Sequence, residues 1–356
     1  MIYFINFLLS VLYFYSLKRY KDLTFFMYFP ILILWTMIIG LQFGVGTDYF
    51  NYLRIYNNPN YLELYFRKKE YIFYFYIKFI KFFFIEGQSF FIITSFLENL
   101  IFYIYLKTLL KNKIINLKKL WIFIFLFLCF GTTFYNQTNG IRQYFNIYLL
   151  IIMSVFIINK NFLYYNIIFF IGLNIHRSFL FLYPLYFINF IIKKINKKTF
   201  IIFIILVLIL NFLPIVKVIK EIIKFVPRYK HYVYYDYFSE ITLKNKITKM
   251  IFVPFYLESA KLIDNIKNEK KALILRWGIF GFIIRIFCLK ITVLNRIGEY
   301  FVLLSLFPIY FLIENYIEKN SKFKLFILFF MILGLFVTKT IIFPKGEYLY
   351  NSYLFN

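Results

Sequence analysis

Apolar runs long enough to cross a membrane recur from one end of the chain to the other, and most are closed by a short cluster of lysines or arginines. About 20 helical residues at ~1.5 Å rise span a hydrocarbon layer of ~30 Å, so this pattern points to helices that cross a bilayer repeatedly. Hydrophobic residues make up 62% of the 356 and aromatic residues 25%, far beyond what one soluble core hides. The fold class is therefore all-α, a polytopic integral membrane protein. No polar stretch is long enough to build a second core, and residues 1–356 read as a single integral membrane domain. The net charge of +26 would suit nucleic acid if it formed a stripe, but the cations sit in short groups between apolar runs, where the positive-inside rule accounts for them. Membrane lipids are expected partners; nucleic acid is not.

Residues 2–17 are apolar, have no cation before them and are followed by Lys18-Arg19-Tyr20-Lys21. This reads as a retained span with its N-terminus outside, since a cleaved leader carries its charge first. A second span near 28–43 exits at Gly44-Val45-Gly46-Thr47-Asp48-Tyr49 into an outer loop over 45–70. Residues 71–85 are apolar except for Lys78 and Lys81, which share a helix face, and the basic loop 107–119 is cytoplasmic only if this segment does not cross. An interfacial or re-entrant helix is expected there. Spans follow near 89–106, 120–136, 141–158, 162–175, 179–192, 199–216, 250–263, 272–290, 298–317 and 324–342, with a second outer loop over 217–249. The total is about 12 transmembrane helices with both termini outside.

The stretch from Asn139 to Ser178 gathers the most informative residues. Asn139-Gly140-Ile141-Arg142-Gln143 opens an apolar arm to Ile158, the chain turns at Asn159-Lys160-Asn161, and a second arm returns to His176-Arg177-Ser178. A hairpin of this kind brings Arg142 and His176 with Arg177 to nearly the same depth. Two cations beside an imidazole at the mouth of an apolar bundle suit an anionic ligand that arrives through lipid. Only nine of the 42 basic residues are arginines in a chain dominated by Phe, Ile, Tyr, Asn and Lys, so the arginines carry the information. Six of them, Arg54, Arg67, Arg142, Arg177, Arg228 and Arg296, fall in outer segments, where the positive-inside rule disfavours them. Guanidinium groups grip phosphate oxygens through paired hydrogen bonds; contact with headgroups or outer acids is the alternative for each. Arg276 and Arg285 lie inside a span, and Arg285 is deep enough to need a partner or a wet cavity.

Asp48, followed by Tyr52 and Arg54, is a carboxylate at the membrane face and reads either as a general base or hydroxyl anchor, or as a helix cap. Glu70, at the start of the helix expected over 71–85, has a claim of the same kind. His176 reads as a general base, as a donor to phosphate, or as a satisfied polar residue at a helix end. Between Pro227 and Tyr237, Arg228, Tyr229 and Tyr232 belong to a mixture of rings and polar groups that suits sugar faces, although interfacial tyrosines share that composition. Cys129 and Cys288 lie alone in apolar runs and the chain has two histidines, a composition that predicts buried thiols and neither a metal site nor a cofactor.

Taken together, Gly46-Thr47-Asp48-Tyr49 after the second span, Asn139 to Gln143 opening a helix, His176 followed by Ser178 and Pro184, Arg228-Tyr229 then Tyr232, and Arg296 followed by Tyr300 resemble the EpsG family, a relative of the Wzy-type O-antigen and capsule polymerases. The resemblance covers most of the chain in the right order. Glu70-Tyr71 resembles that family's acidic start to the third apolar segment, without the glycine or proline expected beside it. The resemblance implies a bacterial cytoplasmic (inner) membrane enzyme that needs no metal. It would transfer a growing glycan from its polyprenyl-diphosphate carrier onto a new lipid-linked repeat unit at the outer face. In that scheme Arg142, Arg296 and Arg177 hold the diphosphate, and His176 or Asp48 orients or deprotonates the acceptor hydroxyl. Tyr52, Arg54, Gln143, Arg228, Tyr229 and Tyr232 complete the substrate contacts. The partners implied are polyprenyl-diphosphate-linked oligosaccharides, a chain-length regulator and a flippase. An O-antigen ligase or membrane O-acyltransferase, and a flippase or other transporter of the same pathway, are the competing readings; outward arginines argue against a purely structural scaffold.

Overall fold

Wherever the sequence runs apolar the backbone is helical. The computed structural model describes residues 1–130, 133–213, 215–225 and 241–355, and among these no strand forms; Gln42 and Ser352 make an isolated bridge. In chain order the α-helices are α1 (Ile2–Ser16), α2 (Phe25–Gly40), α3 (Tyr49–Asn57), α4 (Pro59–Arg67), α5 (Tyr71–Phe83), α6 (Gln88–Lys111), α7 (Leu120–Cys129), α8 (Thr133–Asn136), α9 (Ile141–Ile158) and α10 (Phe162–Ile175). They continue with α11 (Leu185–Ile192), α12 (Lys197–Phe212), α13 (Ile215–Lys224), α14 (Leu243–Met250), α15 (Val253–Ala260), α16 (Glu269–Cys288), α17 (Thr292–Glu299), α18 (Leu306–Glu318) and α19 (Lys322–Val337). Three helical stretches, Gln88–Lys111, Ile141–Ile158 and Lys322–Ile342, are each long and apolar enough to cross a membrane. The expected spans at 120–136, 250–263 and 298–317 are each broken into shorter helices and turns. In the second of these a proline in the first turn restarts the helix as α15.

Contacts divide the chain into two compact units. The first comprises Met1–Tyr183 with Ser321–Asn356, and the second Pro184–Asn320. In the first unit the C-terminal tail lies against the exit of α2, with Phe43 N–H on the Asn351 carbonyl at 2.9 Å and Tyr353 N–H on the Leu41 carbonyl at 2.7 Å. The Tyr3 hydroxyl of α1 reaches the Glu347 carbonyl at 3.0 Å, so both chain ends meet at this end of the unit. Gln42 extends the same layer, donating through Nε2 to the Thr138 carbonyl at 3.3 Å. Gln88 adds a donation to the Gly40 carbonyl at 2.6 Å and an acceptance from the Tyr49 hydroxyl at 2.9 Å. The starts of α3, α6 and α9 are thereby brought to one place.

The segment 45–70, expected as a loop, folds as the two short helices α3 and α4. Its aromatic residues are the reason: Tyr49, Tyr52, Ile55 and Tyr56 of α3 and Leu62 and Tyr65 of α4 are buried in one cluster with α5 and α6. Asn58 accepts from the Asn60 N–H at 2.9 Å and Pro59 opens the helix, which sets the break between the two. The α5 helix is tied to neighbouring helices at both ends. Glu70, before it, bonds to α9, while the Phe84 carbonyl after it accepts from the Tyr56 hydroxyl at 2.6 Å, back on α3. Lys81 donates to the carbonyls of Tyr56 and Asn57 at 3.1 and 3.4 Å, at the negative end of the α3 dipole. The opposite face of α5 carries Phe75, Phe79 and Phe82, which are 57, 64 and 82% exposed. An uncovered aromatic face of this size suits lipid.

Candidate active site

The site is assembled at the ends of α4, α9 and α10. The α4 helix stops in a Schellman turn: Lys69, at φ +61, donates to the Phe66 carbonyl at 2.9 Å, and Glu70 N–H reaches the Tyr65 carbonyl at 2.9 Å. That turn delivers Glu70 into the bundle, where it is 3% exposed. The α10 helix ends at His176, which leaves helical geometry for extended backbone. Gly172 allows this ending, because a Cβ there would lie 2.4 Å from the Phe179 ring that folds back over it. Asn146 of α9 donates to the Gly172 carbonyl at 2.9 Å and ties the two arms together.

Glu70 uses both carboxylate oxygens. Oε2 accepts from Arg142 Nη1 in the first turn of α9, while Oε1 accepts from the Arg177 backbone N–H at 3.1 Å and faces His176 Nδ1 at 3.3 Å. A guanidinium in the first turn of a helix works against the helix dipole, and the carboxylate offsets that cost. Arg142 also stacks its Cζ 4.6 Å from the Tyr65 ring centroid and 5.1 Å from that of Phe73. Its backbone N–H donates to the Tyr52 hydroxyl at 3.4 Å. Burial raises the Glu70 pKa, but the His176 hydrogen bond, the Arg142 charge and the Arg177 N–H outweigh it, so the carboxyl titrates below its ordinary 4.5. An ionised Glu70 only accepts, which makes Nδ1 of a neutral His176 the protonated nitrogen and puts the ring's lone pair on Nε2.

The Gly46-Thr47-Asp48 turn is held beside this cluster by Asn139. A single oxygen, Asn139 Oδ1, accepts from Thr47 N–H at 2.9 Å, Thr47 Oγ1 at 3.1 Å and Asp48 N–H at 3.0 Å. Gly46 takes φ +76, and a Cβ on it would sit 2.8 Å from that oxygen. Asp48 precedes α3 as its N-cap residue, but its side chain makes no capping hydrogen bond. Tyr65 links the two halves. Its hydroxyl is raised above 10 by burial, is pulled down by Arg142 and is pushed up by Tyr52, Glu70 and Asp48, all close enough to act on it.

The structure thus unites Arg142, His176, Arg177, Tyr52 and Asp48 in one unit. Gln143 is partly buried one residue beyond Arg142, and Arg54 is exposed on α3 with its Cζ 5.5 Å from the Tyr61 ring centroid. Arg296 is exposed on α17 in the second unit. Arg228, Tyr229 and Tyr232 lie outside the described residues. Arg285 has the partner its depth requires, donating through Nη1 to Ser305 Oγ at 2.8 Å. Among the described residues no group of three or more His, Cys, Asp or Glu side chains is placed to hold a metal ion. Sequence reasoning under-ranked Glu70, the residue on which the cluster turns, and passed over Asn139 as an anchor and Glu98. Glu98 is 1% exposed in α6, and as the sole acid of that long apolar helix it was legible as one that needs explaining.

No curated protein and no solved structure matches the chain. The model of the EpsG family matches residues 24–355, which takes in α3 to α10 and every residue of the cluster. The chain belongs to the EpsG family, which supports a polysaccharide-polymerase-like role at family level.

Proposed function

We propose that this protein is a polysaccharide polymerase of the bacterial cytoplasmic membrane, multi-pass, acting at its outer face as a metal-independent glycosyltransferase. The acceptor hydroxyl of a new polyprenyl-diphosphate-linked repeat unit attacks the anomeric carbon of the growing glycan. The bond from that carbon to the diphosphate oxygen breaks, and the carrier diphosphate leaves with the electron pair. The observation that carries the reading is the Glu70 carboxylate holding Arg142, His176 and Arg177 N–H at one point. Around it stand Arg142, Arg177 and Lys68, whose Nζ lies 5.2 Å from the Tyr65 centroid, against Glu70 and Asp48. Three cations against two carboxylates leave an excess of positive charge that favours a diphosphate.

His176, oriented by Glu70, takes the acceptor proton on Nε2, in the manner of an imidazole steered by a carboxylate. Asp48 is the alternative base. Arg142 stabilises the charge that develops on the leaving diphosphate, with Arg177 and Arg296 as further contacts. Tyr52, Arg54 and Gln143, with Arg228, Tyr229 and Tyr232, supply sugar contacts. A chain-length regulator and a flippase are the expected protein partners.

The test is polymer length on a gel, with purified protein in lipid vesicles given synthetic lipid-diphosphate repeat units. Wild type should yield a ladder, and Arg142→Ala should lower the rate by roughly 10²–10³, the scale of losing one charge-stabilising donor. His176→Ala should collapse the ladder if it is the base; normal polymer from both His176→Ala and Asp48→Asn removes both from that role. Single transfers from wild type would indicate a ligase, and translocation without transfer a flippase.

A further inference from the structure

The α1 helix ends and α2 begins at a cleft of about 770 Å³, lined by Tyr15 and Ser16 of α1, Lys18, Arg19 and Tyr20 of the connection, and Phe26 of α2. The Tyr13 hydroxyl donates to the Met27 carbonyl at 2.6 Å and fastens the two helices together on its wall. The fifteen residues of α1, about 22 Å of helix, separate this cleft from the layer in which Tyr3 meets the C-terminal tail.

Its charge is one-sided. Lys18 Nζ lies 3.8 Å from the Tyr15 ring centroid, Arg19 is exposed, and neither forms an ion pair among the described residues. Asp22, the acid nearest in the chain, accepts through Oδ1 from the Leu23 N–H at 2.8 Å. The Leu17–Arg19 turn packs on the Leu117–Lys119 turn, which brings Lys118 and Lys119 to the same end. A guanidinium held in this setting has its planar fork available for two oxygens of one phosphate.

The surroundings give the cleft its depth. The Tyr15 ring stands edge-on to Trp121, with centroids 5.8 Å apart, and tyrosine and tryptophan together settle at the level of lipid headgroups. Leu12 of α1 and Phe26 of α2 are 63 and 86% exposed, apolar surface that suits acyl chains. An occupant therefore meets cations and carbon side by side, at the height where a lipid passes from headgroup to chain. A soluble anion would leave Phe26 uncovered, and a zwitterionic lipid would bring its own cation against Lys18 and Arg19.

We propose that this cleft binds an anionic glycerophospholipid of the leaflet that the positive-inside rule assigns to the cytoplasm, with its phosphodiester on Arg19 and Lys18 and an acyl chain against Phe26. The site is separate from the one at which glycan transfer is proposed and does not depend on that reading.

The experiment titrates full-length protein in neutral detergent with phosphatidylglycerol, or with phosphatidylcholine of the same chains, and reads bound lipid by native mass spectrometry. Wild type should bind one phosphatidylglycerol at least tenfold tighter than phosphatidylcholine. Lys18→Gln combined with Arg19→Gln should bring that preference below threefold, since each cation near the surface contributes roughly fivefold. Lys193→Gln combined with Lys194→Gln, which removes the same charge from a connection of the second unit, should keep the preference. Lys18→Arg combined with Arg19→Lys, which restores the charge, should keep it too, and guards against misfolding at this turn. Equal binding of the two lipids by wild type, or a preference that survives the loss of Lys18 and Arg19, overturns the site. An equal fall in the Lys193 and Lys194 variant would reduce the effect to total charge and overturn it as well. Displacement of bound phosphatidylglycerol by inorganic phosphate would assign the cleft to a soluble anion instead of a lipid.

Discussion

Glu70 is the residue on which the candidate site depends, because it is the common partner of groups that would otherwise repel or drift apart. Removing one member of a buried ion pair costs about 3–5 kcal/mol, since the partner is left charged and unpaired. Glu70→Ala should therefore lower the thermal stability of the detergent-solubilised protein by an amount of that order, and Glu70→Gln by less, because the amide still accepts from Arg177 N–H. The pH dependence follows from the sign of the shift. The carboxyl titrates below 4.5 in the folded protein, so its stabilisation is complete above 4.5 and is lost as pH falls through the lowered value. Melting curves from pH 7 down to 3 should show a drop in wild type that is smaller in Glu70→Gln. Equal slopes in the two proteins would remove Glu70 from the role of charged anchor.

At the scale of the element, α5 has an unusual distribution of polar and apolar surface. Lys81 reaches back to the end of α3 and Lys78 is exposed 3.9 Å from Glu63, while Phe75, Phe79 and Phe82 form an exposed row and Phe73 is buried. A row of exposed phenylalanines is unfavourable in water, and lipid is the environment that accommodates it. Cysteines placed singly at Phe79 and at Asn60 should separate two reagents. A lipid-soluble maleimide should label position 79, a membrane-impermeant one position 60, and the buried Cys129 and Cys288 should stay silent. Labelling of position 79 by the impermeant reagent would place α5 in water and sink the lipid-facing assignment.

For the molecule as a whole, the positive-inside pattern makes a prediction that the first unit's contacts bear upon. The α2 exit, the C-terminal tail and the N-terminus of α1 meet through the Leu41–Tyr353, Phe43–Asn351 and Tyr3–Glu347 hydrogen bonds. Thr47 and Lys345 should thus lie on one side of the membrane, and Arg19, in the basic cluster after α1, on the other. In sealed vesicles of known orientation, Thr47→Cys and Lys345→Cys should react with an impermeant reagent from the outer side, and Arg19→Cys only after permeabilisation. If all three react alike, the orientation assigned to the first unit is wrong.

By itself, the sequence determined whatever is written in short windows. Apolar length and basic punctuation establish an all-helical chain suited to a membrane, and the glycine, asparagine and histidine at the hairpin's turns mark Ile141–Ile158 and Phe162–Ile175 at the residues where those helices begin and end. The motifs that resemble the EpsG family are equally local, each only a few residues long. Tertiary structure alone decided which of the polar residues belong together. Glu70 is 72 residues from Arg142 and 106 from His176, and nothing in its neighbourhood distinguishes a buried ion-pair hub from a helix cap. The 45–70 segment has the polar, tyrosine-rich composition of a loop, and becomes helical because its rings find α5 and α6 to pack against. Local periodicity specifies which elements form; the choice between water and a partner for each polar face is made only when those elements meet.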